Sequence, residues 1–170
     1  MSGNQSRSWC KGKSLVFAII CGSLAVHGQD GLERDVPAAA TILKAFEGYN
    51  AALVAKDYAK LRAEYLYVPF TLTGQLIPQI ITDLDIVLAG LRKTRDSLDA
   101  LGYETSKVLN PRISILNSDA ALLNCRIQHY KKDGSLIAER ANFYILIKVN
   151  GAWKLGGVMP QDPNFTGQTY

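Results

Sequence analysis

Acidic residues are absent before Asp30, cysteine occurs only three times, and histidine only twice. Each scarcity excludes something. Within the acid-free stretch stand Arg7, Lys11 and Lys13. Setting that stretch aside leaves 16 basic against 15 acidic residues, so the apparent basic bias (formal net charge +4) belongs to the N-terminus. A remainder this near neutrality lacks the electrostatic footprint of a nucleic-acid binder, and no Lys/Arg run or RNA-binding signature supplies one. The longest apolar run, Ser14 to Val26, is shorter than the roughly 20 residues a bilayer span takes.

A basic stretch ending at Lys13, that short apolar run, and small residues suited to cleavage after Gly28 or Ala25 read as a secretory signal. Cleavage at Gly28 is preferred. The expected organisation is therefore a signal over residues 1–28, a leader over 29–37, a domain over 38–159 and a tail over 160–170. The mature chain would be secreted or periplasmic, with no stable membrane insertion. Cys10 and Cys21 leave with the signal, so Cys125 remains alone and no internal disulfide can form. Its place in an alternating strand pattern makes it a buried apolar position rather than a nucleophile.

With His129 as the sole histidine after Gly28, a typical zinc site would need unusual ligands. There is no Gly-x-Ser-x-Gly and no phosphate-binding Gly-Lys-Ser/Thr loop. No metal and no cofactor are expected. Asn164-Phe165-Thr166 matches a glycosylation acceptor, a weak pattern that matters only in a eukaryotic secretory pathway.

The chain that is present, 48% hydrophobic and 20% charged, suits one soluble domain. A first helix is expected to open with Asp35 as N-cap and Pro37 at the first helical position. Its face carries Ile42, Leu43, Phe46, Tyr49 and Leu53 at helical spacing. Asp57 signals a second, shorter helix through Leu61 and Tyr65, which must end before Pro69. Val68 to Thr73 and Leu76 to Ile81 resemble two peripheral strands turning at Gly74-Gln75, with Pro78 marking an edge. Thr82-Asp83-Leu84-Asp85 resembles a capping box, and Leu84, Leu88, Leu91, Leu98 and Leu101 form the stripe of a third helix that Gly102 stops. Arg92, Lys93, Arg95 and Asp96 read as its solvated face.

From Tyr103 the period changes to two. Strands are expected over Thr105 to Leu116, Ala120 to Tyr130, Leu136 to Val149 and Trp153 to Met159, with turns at Asn117-Ser118-Asp119, Lys132-Asp133-Gly134 and Asn150-Gly151. Helices first and an antiparallel meander after make the class α+β. A three-residue loop with a left-handed Gly134 pairs Lys131 with Ser135. Extended without interruption, that register sets Leu123 opposite Phe143, Cys125 opposite Ala141, Ile127 opposite Glu139 and His129 opposite Ile137. A shift by one residue would set Ile127 opposite Arg140 and mix the faces.

This register leaves His129 and Glu139 as the polar residues of an apolar inner face. They could exchange protons in a cavity, or form an ordinary ion pair at a wetted strand tip; the tip position favours the second. The other face, with Leu122, Asn124, Arg126, Gln128 and Tyr130 against Tyr144, Asn142, Arg140, Ala138 and Leu136, suits either solvent or a two-fold partner.

Three N-terminal helices, a short strand pair before the third, and a meander ending in Tyr144 to Val158 with its turn Gly151 and its Trp153-Lys154 pair resemble the nuclear transport factor 2-like superfamily, close to its SnoaL-like branch. The resemblance covers roughly Ala38 to Met159. It implies a cone-shaped, cystatin-like fold: three helices packed on a curved antiparallel sheet that encloses a pocket. Trp153 is then a structural wedge. Members include ketosteroid isomerases, polyketide cyclases, epoxide hydrolases, dehydratases and non-catalytic binding or assembly domains, so the fold alone assigns no activity. The isomerases and cyclases place an Asp base in the pocket, and the inward positions of the middle strands here supply none. The expectation is an exported, homodimeric domain holding a small apolar or amphipathic molecule between Tyr49, Tyr65, Phe143 and a rim of His129 and Glu139. Alternatives are a lyase or isomerase using Glu139 as base with Tyr49 or Tyr65 as hydroxyl donor, and a non-catalytic assembly module.

Overall fold

The computed structural model describes residues 29–73 and 78–161. The expected signal, the Gly74-Gln75 turn and the Asn164 acceptor lie outside them. Helix α1 (Gln29–Val54) already runs at Gln29, so Pro37 lies inside the helix and not at its first position. A proline there forfeits one backbone hydrogen bond. Pro37 is exposed, toward the N-terminal end of the helix, and the core contacts begin later, at Ile42. Ile42, Phe46, Tyr49 and Ala52, spaced to share one face, are all buried.

A single turn, α2 (Tyr58–Lys60), capped by Asp57 accepting from the Lys60 N–H at 2.9 Å, runs into a π-helical stretch, Leu61–Tyr65. Strands β1 (Leu66–Leu72) and β2 (Gln79–Ile81) follow, then α3 (Leu84–Asp99), capped by Asp83. The last four strands are β3 (Tyr103–Asn117), β4 (Ala120–Lys131), β5 (Leu136–Val149) and β6 (Ala152–Gln161).

The strands form one sheet in the order β2-β1-β6-β5-β4-β3. The expected meander is present, but the sheet is mixed, because β1 joins β6 in parallel. A Cβ on Gly157 would stand 2.7 Å from the Thr71 carbonyl oxygen, so the absence of a side chain there is what lets the two strands approach. Pro111 falls in edge strand β3 where the pairing slips between Leu109 and Arg112, a place that tolerates a missing donor. Helix α1 crosses the sheet, touching β3 on one side and β6 on the other. Between them lie Leu61, Leu66, Leu123, Leu146 and Leu155, each at most 2% exposed. Trp153 is buried, as a wedge would be.

The β4–β5 hairpin departs from expectation in one consequential way. Its loop is as expected: Lys131 N–H donates to the Ser135 carbonyl at 2.9 Å, and Gly134 sits at φ +82. Tyr130 faces Leu136, but His129 then faces Ala138, leaving Ile137 as an extra residue, a β-bulge. Beyond it Gln128 faces Glu139, Ile127 faces Arg140, Cys125 faces Asn142 and Leu123 faces Tyr144. The register disfavoured on alternation is therefore the one adopted. Tyr144 turns inward, its ring 4.6 Å from that of Phe46, and Asn142 and Arg140 share its face. Ala141, Phe143 and Ile145 turn outward.

Exchanging the neighbours of this strand tests its phase. Tyr144→Ala is expected to cost about 3–5 kcal/mol, as for a buried aromatic, and Phe143→Ala about 1 kcal/mol. Urea unfolding of both variants measures this, and the reverse ranking would contradict the phase.

Candidate functional site

Helices α1 and α3 and the inner sheet face enclose a cavity of about 490 Å³, within the range of roughly 300–1,000 Å³ usual for small-molecule sites. Tyr49 and Tyr144 line it together with Leu155 and Val158. The α3 wall is Val87, Gly90 and Leu91. Gly90 matters because a Cβ added there would meet nothing within 4 Å: the helix leaves room at that point.

The buried phenols stay protonated. Burial pushes Tyr49 far above the ordinary tyrosine value. Burial does the same for Tyr144, with Tyr49 and Cys125 nearby adding to the rise. Asn142 Nδ2 donates to the Tyr144 hydroxyl at 3.1 Å, which leaves the phenolic hydrogen to serve as a donor. Cys125 is buried with its thiol pushed up to about 12 by desolvation, so it is no nucleophile near neutral pH.

Toward the β4–β5 hairpin the wall becomes polar. Ser106 Oγ lies 2.8 Å from His129 Nδ1 and 2.6 Å from the Tyr103 hydroxyl, a chain of three side chains. Burial lowers the His129 pKa below its usual 6.5, and the positive charge of Arg140 lowers it further. The imidazole is therefore neutral near pH 7, able to bind or relay a proton.

Arg95 departs from the solvated face expected of α3. It is 7% exposed, lies 4.2 Å over the Tyr103 ring, pairs with Asp99 and donates from Nη2 to the Val54 carbonyl at 3.4 Å. Arg92, Lys93 and Asp96 are exposed as expected. Leu101, placed in the apolar stripe by its spacing, lies beyond the helix end and is 56% exposed.

Of the residues singled out by sequence, Tyr49 and His129 line the cavity. Glu139 contributes to its lip, but the bulge turns its carboxylate to the outer face. There Arg126 Nη1 donates to it at 2.9 Å and Gln128 Nε2 at 2.6 Å, so the expected Glu139–His129 neighbourhood is not formed. Phe143 is outward, by the same slip. Tyr65 packs on α1 beside Gly48, outside the cavity wall. Sequence reasoning missed Tyr144, Asn142, Arg140, Arg95 and Gly90; only Gly90, isolated inside a helical pattern, carries a local signal. Among the described residues no group of three or more His, Cys, Asp or Glu could hold a metal ion, and no helix is long and apolar enough to cross a membrane.

A family model described as NTF2-like protein (DUF6841) matches residues 39–163. No curated protein matches the chain. Among solved structures, an NTF2-like protein with a cystatin-like fold from Novosphingobium aromaticivorans superposes with a TM-score of 0.61 at 11% identity, covering 83% of this chain and 92% of its own. An NTF-2 like protein of unknown function from Shewanella oneidensis MR-1 gives 0.57 at 17% identity, covering 73% and 98%. A protein named as a candidate ketosteroid isomerase from Shewanella frigidimarina gives 0.56 at 17% identity, covering 71% and 94%. At these identities the likeness is one of fold.

The lowered pKa of His129 sets a pH dependence. Its neutral form stabilises the fold above about pH 6.5, and that contribution is lost as pH falls through the lower folded value. By NMR titration His129 is expected to titrate below 6.5, and Arg140→Gln to move the midpoint upward. A midpoint unmoved by that substitution would remove Arg140 as a cause.

Proposed function

Because the chain belongs to the NTF2-like family (DUF6841) across residues 39–163, we propose that it is a small-molecule-binding member whose cavity takes an apolar or amphipathic ligand. The observation that carries this reading is the 490 Å³ space walled by apolar side chains and neutral phenols, with a polar group of residues at one end. Such a combination buries an apolar body while a few directional groups orient it.

A lyase or isomerase reading ranks below it. The carboxylate base it requires would be Glu139, and both oxygens of that group are engaged by Arg126 and Gln128. The isomerase name of the Shewanella frigidimarina protein reaches this chain through fold alone. An assembly module with a filled interior fits less well with so large a cavity. Kinship with the SnoaL-like branch belongs to the proposal, on the strength of the Tyr144 to Val158 ending.

Export and pairing form part of the same reading. Residues 1–28 have the basic start and apolar run of a signal, and the outer face presents Leu122, Phe143 and Ile145, all half-buried, to a second copy. Native mass spectrometry of the protein from its host's exported fraction is expected to give a two-fold species of chains beginning at Gln29. Full-length monomers would count against both parts.

Gly90→Phe tests the cavity. It should fill the space without displacing backbone, and replacing a mid-helix glycine by phenylalanine recovers about 0.5 kcal/mol of helix propensity. A neutral solvatochromic dye is expected to bind the unsubstituted chain and not the variant, whose unfolding midpoint should not fall. Undiminished dye binding by a folded variant would move the site elsewhere.

A further inference from the structure

At the hairpin end of the cavity, positive charge exceeds the negative charge available to meet it. Arg95 is a buried guanidinium whose Nε has no hydrogen-bond partner. Arginine is almost never buried so far unless paired. Its one counter-ion, Asp99, is shared with Lys56, whose Nζ lies 2.6 Å from the other carboxylate oxygen. Arg140, on the inner face of β5 by register and at the exposed lip, has no ion-pair partner among the described residues. The carboxylate adjacent in sequence, Glu139, is turned outward and held by Arg126. Of the two cations that line the cavity, Arg95 therefore shares its carboxylate with Lys56, and Arg140 pairs with none among the described residues.

These groups are one contiguous cluster. Arg95 stacks on Tyr103, Tyr103 bonds Ser106, Ser106 bonds His129, and Arg140, opposite Ile127, is the diagonal cross-strand neighbour of His129 on the same face, both lining the cavity. Two hydroxyls and an imidazole accompany the two guanidinium groups, and the rest of the lining is mostly apolar, with the phenols of Tyr49 and Tyr144 and the neutral side chains of Asn50, Thr94, Asn142 and Gln161 among it.

We propose that the ligand is an amphipathic carboxylate, its apolar body among Tyr49, Tyr144, Leu155 and Val158 and its anionic head at the hairpin end beside Arg140 and the Tyr103–Ser106–His129 chain. This rests on the cavity-binding reading above and adds the charge of the ligand. Arg140 supplies the direct charge-assisted hydrogen bond. Arg95 acts through its field, since its Nε and Nη1 are covered by protein, and a field in a partly desolvated cavity is screened less than at the surface. A cationic ligand meets two guanidinium groups, and a neutral one leaves Arg140 without a counter-ion.

The test compares octanoate, octanamide and octylammonium, which share a tail, as competitors of the neutral dye. Octanoate is expected to displace it at least about ten-fold more effectively than octanamide, with octylammonium weakest. Arg140→Gln and Arg95→Met should each bring octanoate to within about three-fold of octanamide, with the larger loss falling on octanoate. Arg140 lies at the exposed lip, so its substitution keeps the test decisive if Arg95→Met fails to fold. Equal displacement by octanoate and octanamide overturns the anionic head group and leaves cavity binding standing. Failure of the dye to bind the unsubstituted chain overturns cavity binding, and the carboxylate with it.

Discussion

Ile137 has no partner across the β4–β5 hairpin, and the orientation of the residues that follow it depends on that. A bulge of one residue exchanges the two faces of a strand, because side chains alternate with a period of two. Here it brings Tyr144 onto Phe46, sets Asn142 against the Tyr144 hydroxyl, and carries Arg140 to the cavity lip beside His129. The same slip turns Glu139 outward into the grip of Arg126 and Gln128. The charge character of the cavity, cationic without a free carboxylate, is thus a consequence of strand phase.

The apolar wall and the basic end act on the same groups. Desolvation keeps Tyr49 and Tyr144 protonated and lowers the affinity of His129 for a proton. What the cavity then presents is a set of neutral donors and acceptors together with two guanidinium groups that hold their charge under all ordinary conditions. The imidazole of His129, its Nδ1 in contact with Ser106, completes that set. These groups suit the orienting role proposed for the cavity.

Much of the architecture was legible because it rests on local signals. Asp57 caps the helix it was expected to begin, α3 starts within the expected Thr82-Asp83-Leu84-Asp85 box although its cap is Asp83 and not the threonine, and Gly134 takes the left-handed conformation its loop requires. The meander follows from long two-residue periods separated by turn residues. Misreadings arose where two local rules competed. Asp35 before Pro37 has the form of a helix start, yet α1 runs through it. In β5 both phases carry apolar residues, Ala141, Phe143 and Ile145 on one and Tyr144 and Leu146 on the other, so periodicity could not choose between them. The spacing of α3 marked its leucines correctly through Leu98, but nothing in the order of charges distinguished Arg95, which is buried, from Arg92, which is not.

The sequence by itself determined the class of fold, the order of its helices and strands, the turns of the meander and the core position of Cys125, since each depends on spacing, capping and turn chemistry within a few residues. Only the tertiary structure decided that β1 lies parallel to β6, which side of β5 faces α1, and that Arg95 and Arg140 meet at one end of a cavity. Those outcomes depend on a close approach at Gly157, on one unpaired residue at Ile137 and on how α3 is rotated against the sheet. They are long-range packing choices, which a local pattern leaves open.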